Sequence, residues 1–375
     1  MKTYSCVCGQ LIFFQNVTCI NCGRELGFLP DSLRLASLEP AGNRLWQPTG
    51  TTGERAGLYY KCQNYAQAGV CNWMVPEKDS DVFCRSCRLN EIIPDLSNEV
   101  NQGLWALIES AKRRLVYSLI RLNLPIANKK EDPKCGLAFR FLSDLVNPDG
   151  STSKVLTGHD QGVITLNIAE ADDATRETVR HAMKEPYRTL LGHFRHETGH
   201  YYWDRLVRDT QFLEPFRKLF GNEQNDYMRA LNQYYKSGAP PDWQDRYISA
   251  YATSHPWEDW AETWAHFLHI QDALEVANDF GLVGKRILLD PQDKNGKPRL
   301  ASQQTTFDEV IASWAEFAVA LNSINRSMGL PDLYPFVLSR AVVDKLRFVY
   351  EVIVATATPA QQEAAAGAAL QSRQG

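Results

Sequence analysis

The spacing of apolar residues changes character along this 375-residue chain. Up to about residue 95 the apolar stretches are short and interrupted by Gly, Pro, Asn and Cys. The run "LIFF" (11–14), lying between two cysteine pairs, predicts a small hairpin. "EPAGNRLWQPTGTTGERAG" (39–57) is rich in turn formers, so residues 30–60 are expected to form a long loop. From Val100 the period becomes helical, with Leu104, Leu107, Ile108, Leu115, Leu119 and Leu122 following. Ser97 or Asn98 can cap this helix, and "LNLP" (122–125) closes it. Phe139, Phe141, Leu142 and the turn Asn147-Pro148-Asp149-Gly150 come next. "GVITLNI" (162–168), bounded by Gly162 and the acidic "EADD" (170–173), predicts a strand. Asp172 or Asp173 caps a helix running towards Glu185; Pro186 breaks it and can occupy the first turn of the next. Residues from about 186 to 350 read as mainly helical. The end, "ATATPAQQEAAAGAALQSRQG" (355–375), is of low complexity and expected to be frayed or disordered. The fold class is therefore α+β, a cysteine-rich N-terminal region followed by a mainly helical domain with a small β-sheet.

Composition narrows the function classes. Hydrophobic residues make up 44% and charged residues 22%, the balance of a globular chain. Forty basic residues face 44 acidic ones, so no overall basic excess points to nucleic acid or an acidic membrane. The start, "MKTYSCVCGQLIFF", lacks the long apolar run of a signal peptide. No stretch reaches the roughly 18 apolar residues that a bilayer span needs. A chain without export signal or membrane span is expected in the cytoplasm.

Cysteine placement changes the picture most. Eight of the nine cysteines fall in the first 87 residues, which favours metal over disulfides in such a chain. Cys19–Cys22 and Cys84–Cys87 are CxxC knuckles; Cys6–Cys8 is tighter, and Cys62–Cys71 is looser. Gly9 and Gly23 each follow a cysteine where a knuckle needs a permissive backbone. The simplest pairing is sequential, with Cys6, Cys8, Cys19 and Cys22 on one zinc and Cys62, Cys71, Cys84 and Cys87 on another. An interleaved pairing, a single zinc with a degenerate second site, and disulfides are the alternatives. Four thiolates close the coordination sphere, so these sites read as structural. Cys135 is expected to be a small buried residue.

"LLGHFRHETGHYYWDRL" (190–206) contains His196-Glu197-Thr198-Gly199-His200, an HExxH. On a helix, positions four apart share a face, so two imidazoles can grip one zinc with Glu197 beside them as base. Leu190, Leu191, Phe194, Tyr201, Tyr202 and Leu206 give this segment a helical apolar distribution. A catalytic zinc needs a third protein ligand and an open position. Downstream, in "YATSHPWEDWAETWAHFLHI" (251–270), Pro256 can start a helix on which Glu258 and Glu262 stack four apart. Glu258 is the first candidate ligand; Glu262, His255 and Asp204 are the others. Glu262 then hydrogen-bonds a ligating imidazole. Tyr251, seven residues before Glu258, is the preferred oxyanion donor, with His255 second. His193, three residues before His196, is assigned to the surroundings of the site, and His266 and His269 to packing. The strand at 162–168 is expected to be the edge that pairs with an extended substrate.

These blocks resemble a family. "CxCG…CxxCG…CNW…CRSCRL…IPDL", "EPYRTLLGHFRHETGHYYWD" and "HPWEDWAETWAHFLHI" together are similar to the bacterial zinc-binding metallopeptidases that join an N-terminal zinc ribbon to a zincin-like domain. The resemblance spans residues 4–350. It implies cytoplasmic bacterial proteins with a peptidase assignment and no particular natural substrate. The ExxxE block with its upstream tyrosine also resembles the gluzincin pattern, which implies Glu258 as ligand, Glu262 as the hydrogen-bonded support of a ligating histidine and Tyr251 as oxyanion donor. The expected layout is a zinc-ribbon region (1–95), a zincin-like catalytic domain (96–350) and a tail (351–375). The expected cofactors are one catalytic and two structural zinc ions, and the expected partners a peptide or protein substrate and a protein docking on the ribbons. The competing readings are a ribbon-based binding scaffold with a weakly active or inactive zincin domain, and a metal-dependent amidase acting on a non-peptide substrate. An intact Glu197 speaks against the scaffold, because binding alone needs no general base.

Overall fold

A computed structural model describes residues 2–49, 57–147, 149–183, 188–283 and 305–356. The chain divides into two compact units, Met1–Ser118 with Ile126–Phe194, and Leu119–Pro125 with Arg195–Gly375.

In the first unit, β1 (Tyr4–Ser5) and β2 (Leu11–Ile12) make the hairpin expected around "LIFF", with Tyr4 opposite Ile12. Five strands then form one antiparallel sheet in chain order: β3 (Leu26–Leu29), β4 (Arg34–Gly42), β5 (Leu45–Pro48), β6 (Tyr59–Lys61) and, after the single-turn helix α1 (Gln63–Ala66), β7 (Met74–Pro76). Over the described part of residues 30–60 this sheet replaces the expected long loop; residues 50–56 lie outside the described residues. Ala36 and Leu38 share a buried face with Leu29, Tyr59 and Met74, and Leu35 is buried on the opposite face. The turn formers mark a tight reversal: Asn43 (φ 50°) and Arg44 (φ 64°) are the two central residues between β4 and β5, the left-handed pair of a hairpin whose twist matches its strands. Phe14, Phe28, Trp73 and Tyr117 form the aromatic core beneath, with Phe28 and Trp73 centroids 4.6 Å apart and Phe14 and Tyr117 centroids 5.5 Å apart.

Tyr117 belongs to the long helix α2 (Glu99–Arg121), which follows β8 (Asn90–Ile92). Asn98 caps it by accepting from the Val100 N–H at 3.0 Å. β8 joins a second sheet with β9 (Ala138–Leu142), and beyond the separate ribbon of β10 (Leu145–Val146) and β11 (Thr152–Ser153) the chain adds β12 (Gly158–Asp160) and β13 (Val163–Asn167). The order is β12-β13-β9-β8, with β8 and β13 parallel to β9. The strand expected at 162–168 is present, but it is not an edge. β9 takes one side and β12 the other, so the free edges of this sheet are β12 and β8. Phe139, Phe141, Ile164 and Leu166 are fully buried, and Phe194 meets Phe139 edge-on at 5.5 Å. α3 (Asp173–Met183) is capped by Asp172, whose carboxylate accepts from Thr175. The expected continuation to Glu185 and Pro186 lies outside the described residues. α4 (Leu190–Leu206) starts in this unit and continues into the other. Cys135 is exposed rather than buried, because it sits in a turn closed by its N–H on the Asp132 carboxylate.

The second unit is helical among its described residues. α5 (Leu213–Phe220), α6 (Tyr227–Ser237), α7 (Pro256–Asp279), α8 (Phe307–Ser327) and α9 (Arg340–Thr356) follow α4. α7 is buried on nearly every side, its Trp, Phe, Leu, Ile and Ala positions packing while the buried Asp259 and Asp272 are held in ion pairs. Trp260 packs against Phe216, Phe220 and Phe348 with centroids 5.9–6.2 Å away, and Trp264 stacks on Tyr202 at 4.9 Å. Helix α9 runs to Thr356, so the first six positions of the segment assigned to a tail are helical; residues 357–375 lie outside the described residues. No helix among the described residues is long and apolar enough to cross a membrane.

One buried ion pair ties α2 to the second sheet. Lys112 and Glu109 are fully buried and 2.8 Å apart; Glu109 also accepts from Asn90 at 2.7 Å and from the Trp105 indole at 3.2 Å, while Lys112 reaches the Asn90 side-chain oxygen. Removing one partner leaves an uncompensated charge in the core. Lys112→Met is expected to destabilise the protein by about 3–5 kcal/mol. The double variant Lys112→Met/Glu109→Leu should recover much of that loss, as read by urea denaturation of both.

Candidate metal centre

The HExxH segment lies on α4, as its spacing requires, and the two imidazoles sit one turn apart with ring centroids at 5.0 Å. Glu258 and Glu262 come from the first two turns of α7. Gly199, inside the motif, sets the distance between the two helices. A Cβ there would lie 2.8 Å from the Ala261 Cα and 3.2 Å from its carbonyl oxygen, so only glycine allows the backbones this close. The Trp260 indole locks the crossing by donating to the Gly199 carbonyl at 2.8 Å.

The crossing brings His196, His200 and Glu258 together, with one ligand atom of each within 4.8 Å of the others. Glu258 Oε2 lies 3.0 Å from His196 Nε2 and 3.5 Å from His200 Nε2, and it makes no hydrogen bond despite being buried. His196 Nδ1 lies 2.7 Å from Glu262 Oε1, which orients the ring and leaves Nε2 facing Glu258. Two imidazole nitrogens and a carboxylate oxygen converging on one point are the donor set of a divalent cation, and zinc fits it.

Charge follows the same geometry. Burial presses the His196 pKa down, but Glu258 and Glu262 outweigh it and hold the imidazole well above its usual 6.5. Burial opposes ionisation of Glu258, yet His200 and His196 keep its pKa well below the usual 4.5. Glu197 is buried on α4, close enough to raise the phenol pKa values of Tyr227 and Tyr251. Tyr251 is half-buried, its ring 5.9 Å from that of His196; desolvation first, then Glu258, keeps its proton on.

Other candidates are engaged elsewhere. His255, held as a second oxyanion donor and alternative ligand, uses both ring nitrogens. Nδ1 caps α7 by accepting from the Trp257 N–H at 3.1 Å, and Nε2 donates to the Asn225 carbonyl at 3.0 Å. His193 Nδ1 meets Glu170 at 2.6 Å within the first unit. Asp204 pairs with Arg208 at 2.6 Å. His266 bonds the Tyr334 hydroxyl at 2.8 Å, and His269 meets Arg195. The residue that sequence reasoning missed is Tyr227, whose hydroxyl donates to Glu258 Oε1 at 2.7 Å. It comes from α6, a helix whose polar sequence carries no sign of contact with a site.

The eight N-terminal cysteines gather as two groups of four, Cys6/Cys8/Cys19/Cys22 and Cys62/Cys71/Cys84/Cys87. Sulfur pairs lie 3.6 Å (Cys6–Cys22), 3.7 Å (Cys8–Cys19) and 3.8 Å (Cys71–Cys84) apart. A disulfide needs about 2.05 Å. A tetrahedron of zinc–sulfur bonds near 2.3 Å has edges of about 3.8 Å, which these spacings match. The second group is wholly buried, whereas Cys8 of the first is exposed.

Comparison with known proteins places the chain in a zinc-binding family. The family described as "Putative zinc-binding metallo-peptidase" matches residues 101–352, and a zinc-ribbon domain matches residues 3–98. The chain belongs to this zinc-binding metallopeptidase family. Proteins from Mycobacterium bovis and Mycobacterium tuberculosis, both described as uncharacterized, are 43% identical to it over 356 residues, covering 94% of this chain and 95% of theirs. No solved structure matches the chain.

Because the crossing has no room for a side chain, Gly199→Val should separate α4 from α7. Elemental analysis should then find the zinc of the His/Glu site lost and both four-cysteine sites loaded. Retention of every zinc in this variant would contradict the close-crossing argument.

Proposed function

We propose that the chain is a zinc-dependent peptidase in which residues 1–95 form the zinc-ribbon region and 96–350 the catalytic domain. The observation that carries this reading is the convergence of His196, His200 and Glu258, with Glu197 buried on the same helix and Glu262 on the far nitrogen of His196. His196 Nε2, His200 Nε2 and Glu258 Oε2 would hold the ion. Bound zinc supplies Lewis acidity towards a peptide carbonyl and an acidified water. Glu197 takes the proton of the attacking water on its carboxylate and passes it to the leaving amine nitrogen. Glu262 fixes the tautomer and orientation of His196. Tyr251 keeps its phenolic proton and so can donate to the developing oxyanion. The two four-cysteine sites complete their coordination with protein thiolates, which suits structural zinc. The same residues would serve a non-peptide amide, and hydrolysis of a peptide library separates the two substrates.

Three zinc ions per chain are expected from the three donor groups, and two in Glu258→Ala and in His196→Ala/His200→Ala. Glu197→Gln should keep all its zinc and lose roughly 10²–10⁴ in kcat on casein or a peptide library. Full zinc in Glu258→Ala, or undiminished hydrolysis in Glu197→Gln, would refute the assignment.

Zinc must displace the proton that Glu258 and Glu262 hold on His196 above its usual 6.5. The affinity of this site should therefore fall with falling pH, the decline starting above pH 6.5. Chelator competition between pH 6 and 9 measures it, and a flat profile would count against the His196 assignment.

A further inference from the structure

We propose that Tyr227 is a positioning residue of the metal centre, holding one oxygen of Glu258 so that the other faces the imidazole pair, and that this bond fastens α6 to the site. The inference rests on reading His196, His200 and Glu258 as ligands.

A carboxylate on a free rotor can present either oxygen, or both, to a cation. In this site the two oxygens have different neighbours. Oε1 accepts from the Tyr227 hydroxyl at 2.7 Å, and Oε2 lies 3.0 and 3.5 Å from the two Nε2 atoms. The phenol thus selects a single-oxygen approach and fixes the rotor before an ion arrives. Hydrogen bonds of this kind to ligating groups typically contribute 10–100-fold in metal affinity.

The bond also matters to α6. This helix has eleven residues and none of them is buried. Helices this short are marginal in water and depend on tertiary anchors. Gly221 (φ 103°) and Gly238 (φ 71°) bracket the segment in conformations that L side chains rarely adopt. Its N-terminal end is held at the head of α7 at two points, the Tyr227–Glu258 bond and the Asn225 carbonyl that accepts from His255. Further along, the Tyr234 ring rests 5.7 Å from that of Tyr251. An ion that fixes Glu258 therefore fixes the acceptor of an α6 anchor, and by linkage the order of α6 feeds back on ion affinity. The α6 tyrosines and Tyr251, the proposed oxyanion donor, would then be set in place together with the metal.

The test uses full-length wild type, Tyr227→Phe and Glu258→Ala. Chelator competition gives zinc affinity at the His/Glu site, and hydrogen exchange follows residues 222–238 with and without zinc at that site. Tyr227→Phe is expected to bind zinc 10–100-fold more weakly with both four-cysteine zincs retained. Zinc should slow exchange across α6 in wild type and not in Tyr227→Phe. Without zinc at the His/Glu site, Tyr227→Phe should melt somewhat below wild type, because the bond it removes is already made there, and zinc at that site should widen the gap. Wild-type affinity in Tyr227→Phe, or exchange in α6 that ignores zinc, overturns the inference. So does a Tyr227→Phe loss of melting temperature that is equal with and without this zinc, since Tyr227 would then only hold α6. Undiminished affinity in Glu258→Ala would instead overturn the ligand assignment beneath it.

Discussion

The site depends on how closely two helices cross. α4 carries the imidazoles and α7 the carboxylates, and neither helix alone offers more than two of the converging groups. What brings them within reach of one another is the missing side chain at Gly199, against which the Ala261 backbone lies. The contact is reinforced by the Trp260 indole on the Gly199 carbonyl and by the tryptophans that bury α7. Backbone proximity of this kind is rigid, because interiors pack too densely to slide by fractions of an ångström without loss. The convergence of His196, His200 and Glu258 is thus set by hydrophobic packing, and the charged groups are carried on it.

A rule recurs among the buried charges of the described residues: several lie with their counterparts. Lys112 lies on Glu109, Lys345 lies 2.6 Å from Asp259, and Arg195 meets Asp272. For Asp259, burial outweighs the attraction of Lys345 and raises its pKa to about 7. The donors of the proposed zinc site obey the same rule only in part, since a buried carboxylate oxygen faces two imidazole nitrogens without a hydrogen bond. That departure from the pattern of the surrounding core is the physical argument for a cation there.

Much of this was legible in the residues themselves. The HExxH register and the stacking of Glu258 on Glu262 follow from spacing, because helix geometry converts fixed sequence intervals into fixed distances; the sequential grouping of the eight cysteines was the simplest of several pairings that spacing left open. The sheet across residues 26–76 was obscured by turn formers, which read as a loop until Asn43 and Arg44 are seen to make a tight two-residue reversal. The supposed edge strand at 162–168 was misplaced because local pattern reports a strand and not its neighbours. His255 looked like chemistry because it lies close to Glu258 in sequence, but a residue just before Pro256 is equally well placed to cap a helix. Tyr227 could not have been found, since thirty-one positions separate it from Glu258 and no periodicity joins α6 to α7.

The cap on α7 has a consequence of its own. Most helices begin with an oxygen-bearing side chain, and Asp in that role would add a third carboxylate beside Glu258 and Asp259. His255 satisfies the same backbone donor through an uncharged nitrogen, and burial keeps its ring neutral by lowering its pKa. The partial positive charge at the start of the helix is then left for Glu258 and Asp259, both in its first turn. Choosing imidazole over carboxylate at this one position lets Glu258 keep its negative charge in the protein interior without a like-charged neighbour at the cap.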